Sequence, residues 1–212
     1  RLMVATMDHL VGITGARAGY TQSDEITLVI YRDNPESQPY LGARVQKLAS
    51  ILAASATVFF NAHLPDAIPE KRYAMPVFDC RVWSVPSVEE AANAVLWRVL
   101  DATKNAVSMA ARTVASHKAL DRLGQADQRE ILAARGVDFD AYPAFFKWGT
   151  LKRRIKVLRP FTTDEIAMLP PQHAAHADPG LVVERSALEA LDGCFRHVTN
   201  RAAYLFEGAA PV

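Results

Sequence analysis

The chain has 212 residues, 50% of them apolar and 22% charged, with a formal net charge of +1. That is the composition of an ordinary globular protein. It excludes a global electrostatic attraction to nucleic acid or membrane, so a polyanion site must come from local clusters of Lys and Arg. Two cysteines, Cys80 and Cys194, lie far apart with no metal or redox spacing, which points to a reducing, cytoplasmic setting. No apolar run reaches the ~18 residues of a membrane span, so no membrane partner is expected.

The chain opens in helical pattern, with Leu2, Met3, Met7, Leu10 and Val11 close to one face. A start in mid-helix leads us to expect residues upstream of Arg1. A strand follows over 20–32, where Ile26-Thr27-Leu28-Val29-Ile30-Tyr31 is β-branched and apolar. Asp33-Asn34-Pro35-Glu36 is turn chemistry, and a long helix is predicted over 42–64. Val77-Phe78-Asp79-Cys80-Arg81-Val82-Trp83 reads as a second strand. Ser87 then caps a helix running to about 115, with Glu89 and Glu90 in its first turn. A shorter helix is predicted over 126–135, a basic strand over 150–159, a linker over 170–180 and a last helix over 186–205. The order implies an α+β fold, with a domain over 1–160 and an extension over 161–212.

Asp24 and Glu25 stand at the start of the first strand. Successive strand residues point to opposite faces, so both cannot decorate one solvated side. One of them is a candidate ligand for Mg²⁺, which takes carboxylate oxygens and shares them with substrate phosphates; the alternative is a charged strand start. Arg44 and Lys47, three residues apart, suit a clamp on a triphosphate or the wet side of a helix. Arg98, Asp101, Lys104 and Asn105 form a polar stripe on an apolar helix, where a salt-bridge ladder is the plain reading. Lys147, Lys152, Arg153, Arg154, Lys156 and Arg159 are the one dense basic cluster. They suit a phosphate-backbone footprint or an edge strand guarded against aggregation. His173 and His176 have no second ligand pair nearby, and nothing resembles a Ser-His-Asp or Cys-His nucleophile.

Five stretches carry a resemblance, in this order: Gly19-Tyr20-Thr21-Gln22-Ser23-Asp24-Glu25-Ile26, Phe78-Asp79-Cys80-Arg81-Val82, Trp97-Arg98 through Ala110, Ser116-His117-Lys118, and Phe146-Lys147-Trp148-Gly149-Thr150. Together they resemble the tRNA-His guanylyltransferase family, in particular its bacterial and archaeal 3′-to-5′ polymerases, over about 1–155. The resemblance implies a polymerase-like palm with a ferredoxin-like antiparallel sheet, two Mg²⁺ ions, ATP and GTP as substrates, and nucleotide addition to the 5′ end of tRNA by a homotetramer. It makes Asp24 the metal ligand and Glu25 its supporting carboxylate. Ser23, Arg44, Lys47, Arg81 and Asn105 become nucleotide contacts, and Lys147, Lys152, Arg153 and Arg154 RNA contacts. The family's Asp-Gly-Arg strand, with its second metal ligand, is absent and expected upstream of residue 1. Thr103 through Met109 replaces the His-Ile-Asn-Asn-Leu-Tyr-Asn run of eukaryotic members, which favours repair of 5′-truncated tRNA over tRNA-His selection. Trp148 stands where a basic residue is common. Two other readings stay open: a palm-type cyclase or conventional polymerase, and a non-catalytic RNA-binding protein.

Overall fold

The computed structural model describes residues 1–32, 34, 36–191 and 195–212, so Asp33, Pro35 and Cys194 lie outside the described residues. Helix α1 (Leu2–Thr14) buries Met7, Leu10 and Val11 on the predicted face. The single strand predicted over 20–32 is instead a hairpin of β1 (Ala18–Gln22) and β2 (Glu25–Val29), with Gln22 opposite Glu25. Ser23-Asp24 is therefore a two-residue turn. Ser23 takes a left-handed φ of 54°, and the Thr21 hydroxyl donates to the Glu25 carbonyl at 2.8 Å. No Asn-Gly or Asp-Gly pair marks this turn, which is why the apolar run read as continuous.

Strand β3 (Thr150–Pro160) pairs antiparallel with β1, then with β4 (Val182–Ala190), giving the sheet order β2-β1-β3-β4. The helix predicted over 186–205 is overturned. Residues 182–190 form β4, and Ala203–Glu207 is a short π-helical turn. Cross-strand charges favour this pairing: Arg153 sits opposite Glu189 and meets it at 2.6 Å, and Lys156 meets Glu184 at 3.0 Å. The expected C-terminal extension thus contributes a strand to the same sheet.

Strand β1 is covered on both faces. A Cβ on Gly19 would stand 2.8 Å from Val11 Cγ2 and 2.9 Å from Met7 Cγ, so α1 lies directly on the backbone there. On the other face, Ala18 and Tyr20 pack with Val95, Val99 and Ala102 of α3 (Val88–Arg112), and with Phe195, Tyr204 and Leu205 near the C-terminus. Ser87 caps α3 as predicted, accepting from the Glu90 amide at 3.2 Å. Two short helices, α4 (His117–Leu120) and α5 (Gln125–Ala134), build a second core against the far end of α3, and α6 (Ala144–Trp148) leads into β3. A fourth short helix, α7 (Thr163–Ala167), follows β3.

Helix α2 (Val45–Ala67) sets Leu48, Leu52 and Ala56 against Leu10, Ile26 and Leu28. By length and composition alone it could cross a membrane, which the scan for an unbroken apolar run did not suggest. The helix packs on the sheet along one face only, and Ile51 and Val58 on its outer side are exposed, as is Val45 in its first turn. The strand predicted over 77–83 does not form among the described residues. Phe78, Cys80 and Val82 pack towards α2 while Asp79, Arg81 and Trp83 stay exposed. The period-2 alternation is real; a hydrogen-bonded neighbour is what it lacks.

Candidate active site

The β1–β2 turn projects Asp24 and Glu25 at the mouth of a cleft of about 500 Å³. The cleft runs along the outer edge of β2, between α2 and α3, and is closed on its far side by residues 78–83. Asp24 is exposed and has no ion pair or hydrogen bond among the described residues. Glu25 is not free: its carboxylate is ion-paired with Arg98 of α3. Arg81 reaches the cleft from the opposite wall, exposed and, among the described residues, tied to Asp79 alone at 3.4 Å. Burial pushes the neighbouring Cys80 thiol above its ordinary value, and the Asp79 charge adds to this.

The remaining expected residues scatter. Ser23 faces a different hollow, shared with Met109 and Phe145. Arg44 stands at the N-cap of α2 with extended φ/ψ (−73°, 111°), so it is not on the helix, and spacing three does not place it beside Lys47. Both are exposed, and neither lines the cleft. Asn105 donates to Asp101 at 3.4 Å, outside the cleft.

The basic strand is largely turned inward. Lys152 meets Asp8 at 2.6 Å, Arg153 meets Glu189 at 2.6 Å, and Arg154 donates to the carbonyls of Val11 and Ala16 at 2.7 and 3.0 Å. Burial and the Arg17 charge both pull the Arg154 guanidinium below its ordinary value. Lys147 donates to the Asp140 carbonyl at 2.6 Å. Lys152, Arg153 and Arg154, expected to face RNA, each make contacts within the fold. Sequence reading passed over Trp83 and Trp97, which line the cleft at 59% and 71% exposure; their size alone on a wet surface is the signal.

A hard cation can be held through one carboxylate, waters and substrate phosphates, and Asp24 can serve as that carboxylate. Two ions are not accommodated by side chains alone. Among the described residues no three His, Cys, Asp or Glu side chains gather, and Arg98 occupies Glu25.

A palm-like sheet flanked by helices, with an acidic hairpin at a nucleotide-sized cleft, defines the class. A bacterial tRNA(His) guanylyltransferase (Thg1)-like protein in complex with ATP superposes with a TM-score of 0.64 at 31% identity, over 73% of this chain and 66% of that one. The guanylyltransferase of Saccharomyces cerevisiae shares the fold, with a TM-score of 0.62 at 22% identity, over 71% of each chain. Residues 1–86 match the family model described as Thg1: tRNAHis guanylyltransferase, and this segment belongs to that family. An uncharacterized protein of Acanthamoeba polyphaga mimivirus is 25% identical, over 72% of this chain; the chain spans 60% of that relative's length.

Proposed function

We propose that the protein is a Mg²⁺-dependent nucleotidyltransferase that adds nucleotides in the 3′-to-5′ direction to the 5′ end of tRNA, with ATP and GTP as substrates. The observation that carries this reading is a hairpin within the family segment that holds a carboxylate without a partner among the described residues, Asp24, over a cleft of nucleotide size. Bound there, a divalent ion supplies charge neutralisation for phosphates. The chain's own residues do the rest by placement. Arg81 faces the triphosphate from the opposite wall, and Arg44 and Lys47 remain available to phosphates that project from the cleft. Because phosphoryl transfer needs little covalent help from a protein, positioning and charge are the main contributions.

Other parts of the reading are weighted by the geometry. Glu25 supports Asp24 through its tie to Arg98 and not as a second free acid. Ser23 and Asn105 are contacts for parts of the substrate outside the cleft, and Lys147, which donates to a single carbonyl, is the RNA contact least tied into the fold. A carboxylate on an extended segment laid along the open edge of β2 would complete a two-ion site. The exposed outer side of α2 is the surface for a homo-oligomer, a tetramer by family resemblance, working in the cytoplasm. The test is to incubate the full-length protein with a 5′-truncated tRNA, labelled NTP and Mg²⁺. Label at the 5′ end supports the reading; label at the 3′ end, or cyclised nucleotide, replaces it with a conventional polymerase or a cyclase.

A further inference from the structure

The Ser23-Asp24 turn is an exposed two-residue loop with little of its own to fix it. Among the described residues, one ion pair reaches it from outside the hairpin. Arg98, one turn into the cleft-lining part of α3, reaches across to the Glu25 carboxylate, and its side chain is only 23% exposed although both its partners are wetter. The same guanidinium lies 3.7 Å from Asp101, and Asp101 accepts from Asn105 at 3.4 Å. Positions 98, 101 and 105 fall on one face of α3. They make a continuous polar chain from the hairpin to Asn105. Glu25 is the first residue of β2 and directly follows Asp24, so fixing its side chain fixes the direction from which Asp24 enters the cleft.

We infer that Arg98 is the positioning residue of this site: it clamps the β1–β2 turn to α3 through Glu25, and so sets where the Asp24 carboxylate stands relative to the cleft. This rests on the nucleotidyltransferase reading for its consequence in catalysis, but not for the clamp itself. Its chemistry explains the residue type. A planar guanidinium can serve two carboxylates at once, whereas an ammonium offers a point charge.

The test uses the full-length protein with Arg98→Ala, Arg98→Lys, Glu25→Gln and the double variant Glu25→Gln/Arg98→Ala. Hydrogen exchange read on peptides covering residues 20–27 is expected to quicken about tenfold in Arg98→Ala and in Glu25→Gln, with residues 88–112 unchanged. In nucleotide addition, kcat is expected to fall about tenfold or more in each single variant. The double variant is expected to fall no further than the worse single one, because the two residues act as a pair. Arg98→Lys should recover part of both readouts. Unchanged exchange at 20–27 in Arg98→Ala, or effects that multiply in the double variant, would overturn the clamp. If the wild-type protein adds no nucleotide, the functional reading fails while the exchange measurement still decides the clamp.

Discussion

Asp24 and Glu25 are adjacent in sequence, yet only one of them is available for chemistry. Strand alternation separates their side chains, and Arg98, 73 positions further on, takes Glu25 out of circulation. Arg81 is in the opposite condition. Among the described residues its ionic contact is with Asp79, and both side chains are more than four-fifths exposed, so that pair contributes little to stability. A triphosphate can therefore claim the guanidinium at small cost. Replacing Arg81 with Ala is expected to raise KM for the NTP about tenfold, the loss of one charge-assisted contact of about 1.5 kcal/mol. The melting temperature should stay within about 2 °C, since an exposed substitution changes stability by ~0.5 kcal/mol or less. Steady-state kinetics beside a thermal melt would separate the two.

At the scale of elements, the join between α6 and β3 is the tightest point near the site. Gly149 has a φ of 75°, and a Cβ there would lie 2.6 Å from Tyr20 Oη and 2.7 Å from the Thr21 carbonyl oxygen. Neither can easily retreat: Tyr20 is buried and donates to the Trp148 carbonyl at 2.9 Å, and Thr21 belongs to β1. Gly149→Ala is expected to cost about 2–3 kcal/mol, a fall of roughly 5–10 °C in melting temperature. A second test concerns α7. Glu165 accepts from Arg159 at 2.7 and 2.9 Å, from the Thr162 amide at 2.8 Å and from Arg185 at 2.9 Å. These bonds, Arg159's first, hold its carboxyl far below the usual 4.5. A depressed acid stabilises the fold above its unfolded pKa, and that contribution is lost as pH falls from about 4.5 through the folded value. The stability advantage of wild type over Glu165→Gln, measured by melts from pH 7 to pH 3, should therefore be constant down to about pH 4.5 and shrink below it.

Elements whose signal is local were legible in sequence. The α1 face, the Ser87 cap and the basic strand β3 all follow from periodicity or capping chemistry within a few residues. What escaped depends on distant partners. The same alternation makes a strand of 182–190, where β3 supplies a ladder, and an unpaired segment of 77–83, where no described neighbour does. The site divides likewise. Asp24 was visible as a carboxylate at a strand start, whereas the Arg98–Glu25 pair and the inward turn of Arg153 and Arg154 are contacts that only the folded chain brings together.

Across the whole molecule, two surfaces decide how it meets its partners. The side of α2 that carries Ile51 and Val58 is apolar and exposed, Val58 at 69%, more than a solitary helix face usually leaves to water. If this face joins copies of the chain, Ile51→Glu with Val58→Glu should convert an oligomer to a smaller species by light scattering, because an unpaired carboxylate in an apolar contact is costly. A wild-type protein already monomeric would contradict the assembly. The other surface is the cleft, whose chemistry depends on Asp24. The most direct measurement is label transfer from NTP to the 5′ end of a truncated tRNA by wild-type protein and by Asp24→Ala, both shown to be equally folded by their melts. The wild type is expected to label the 5′ end and the variant to lose about a hundredfold or more; near-equal labelling by the two proteins would rule out Asp24 as the metal-holding carboxylate.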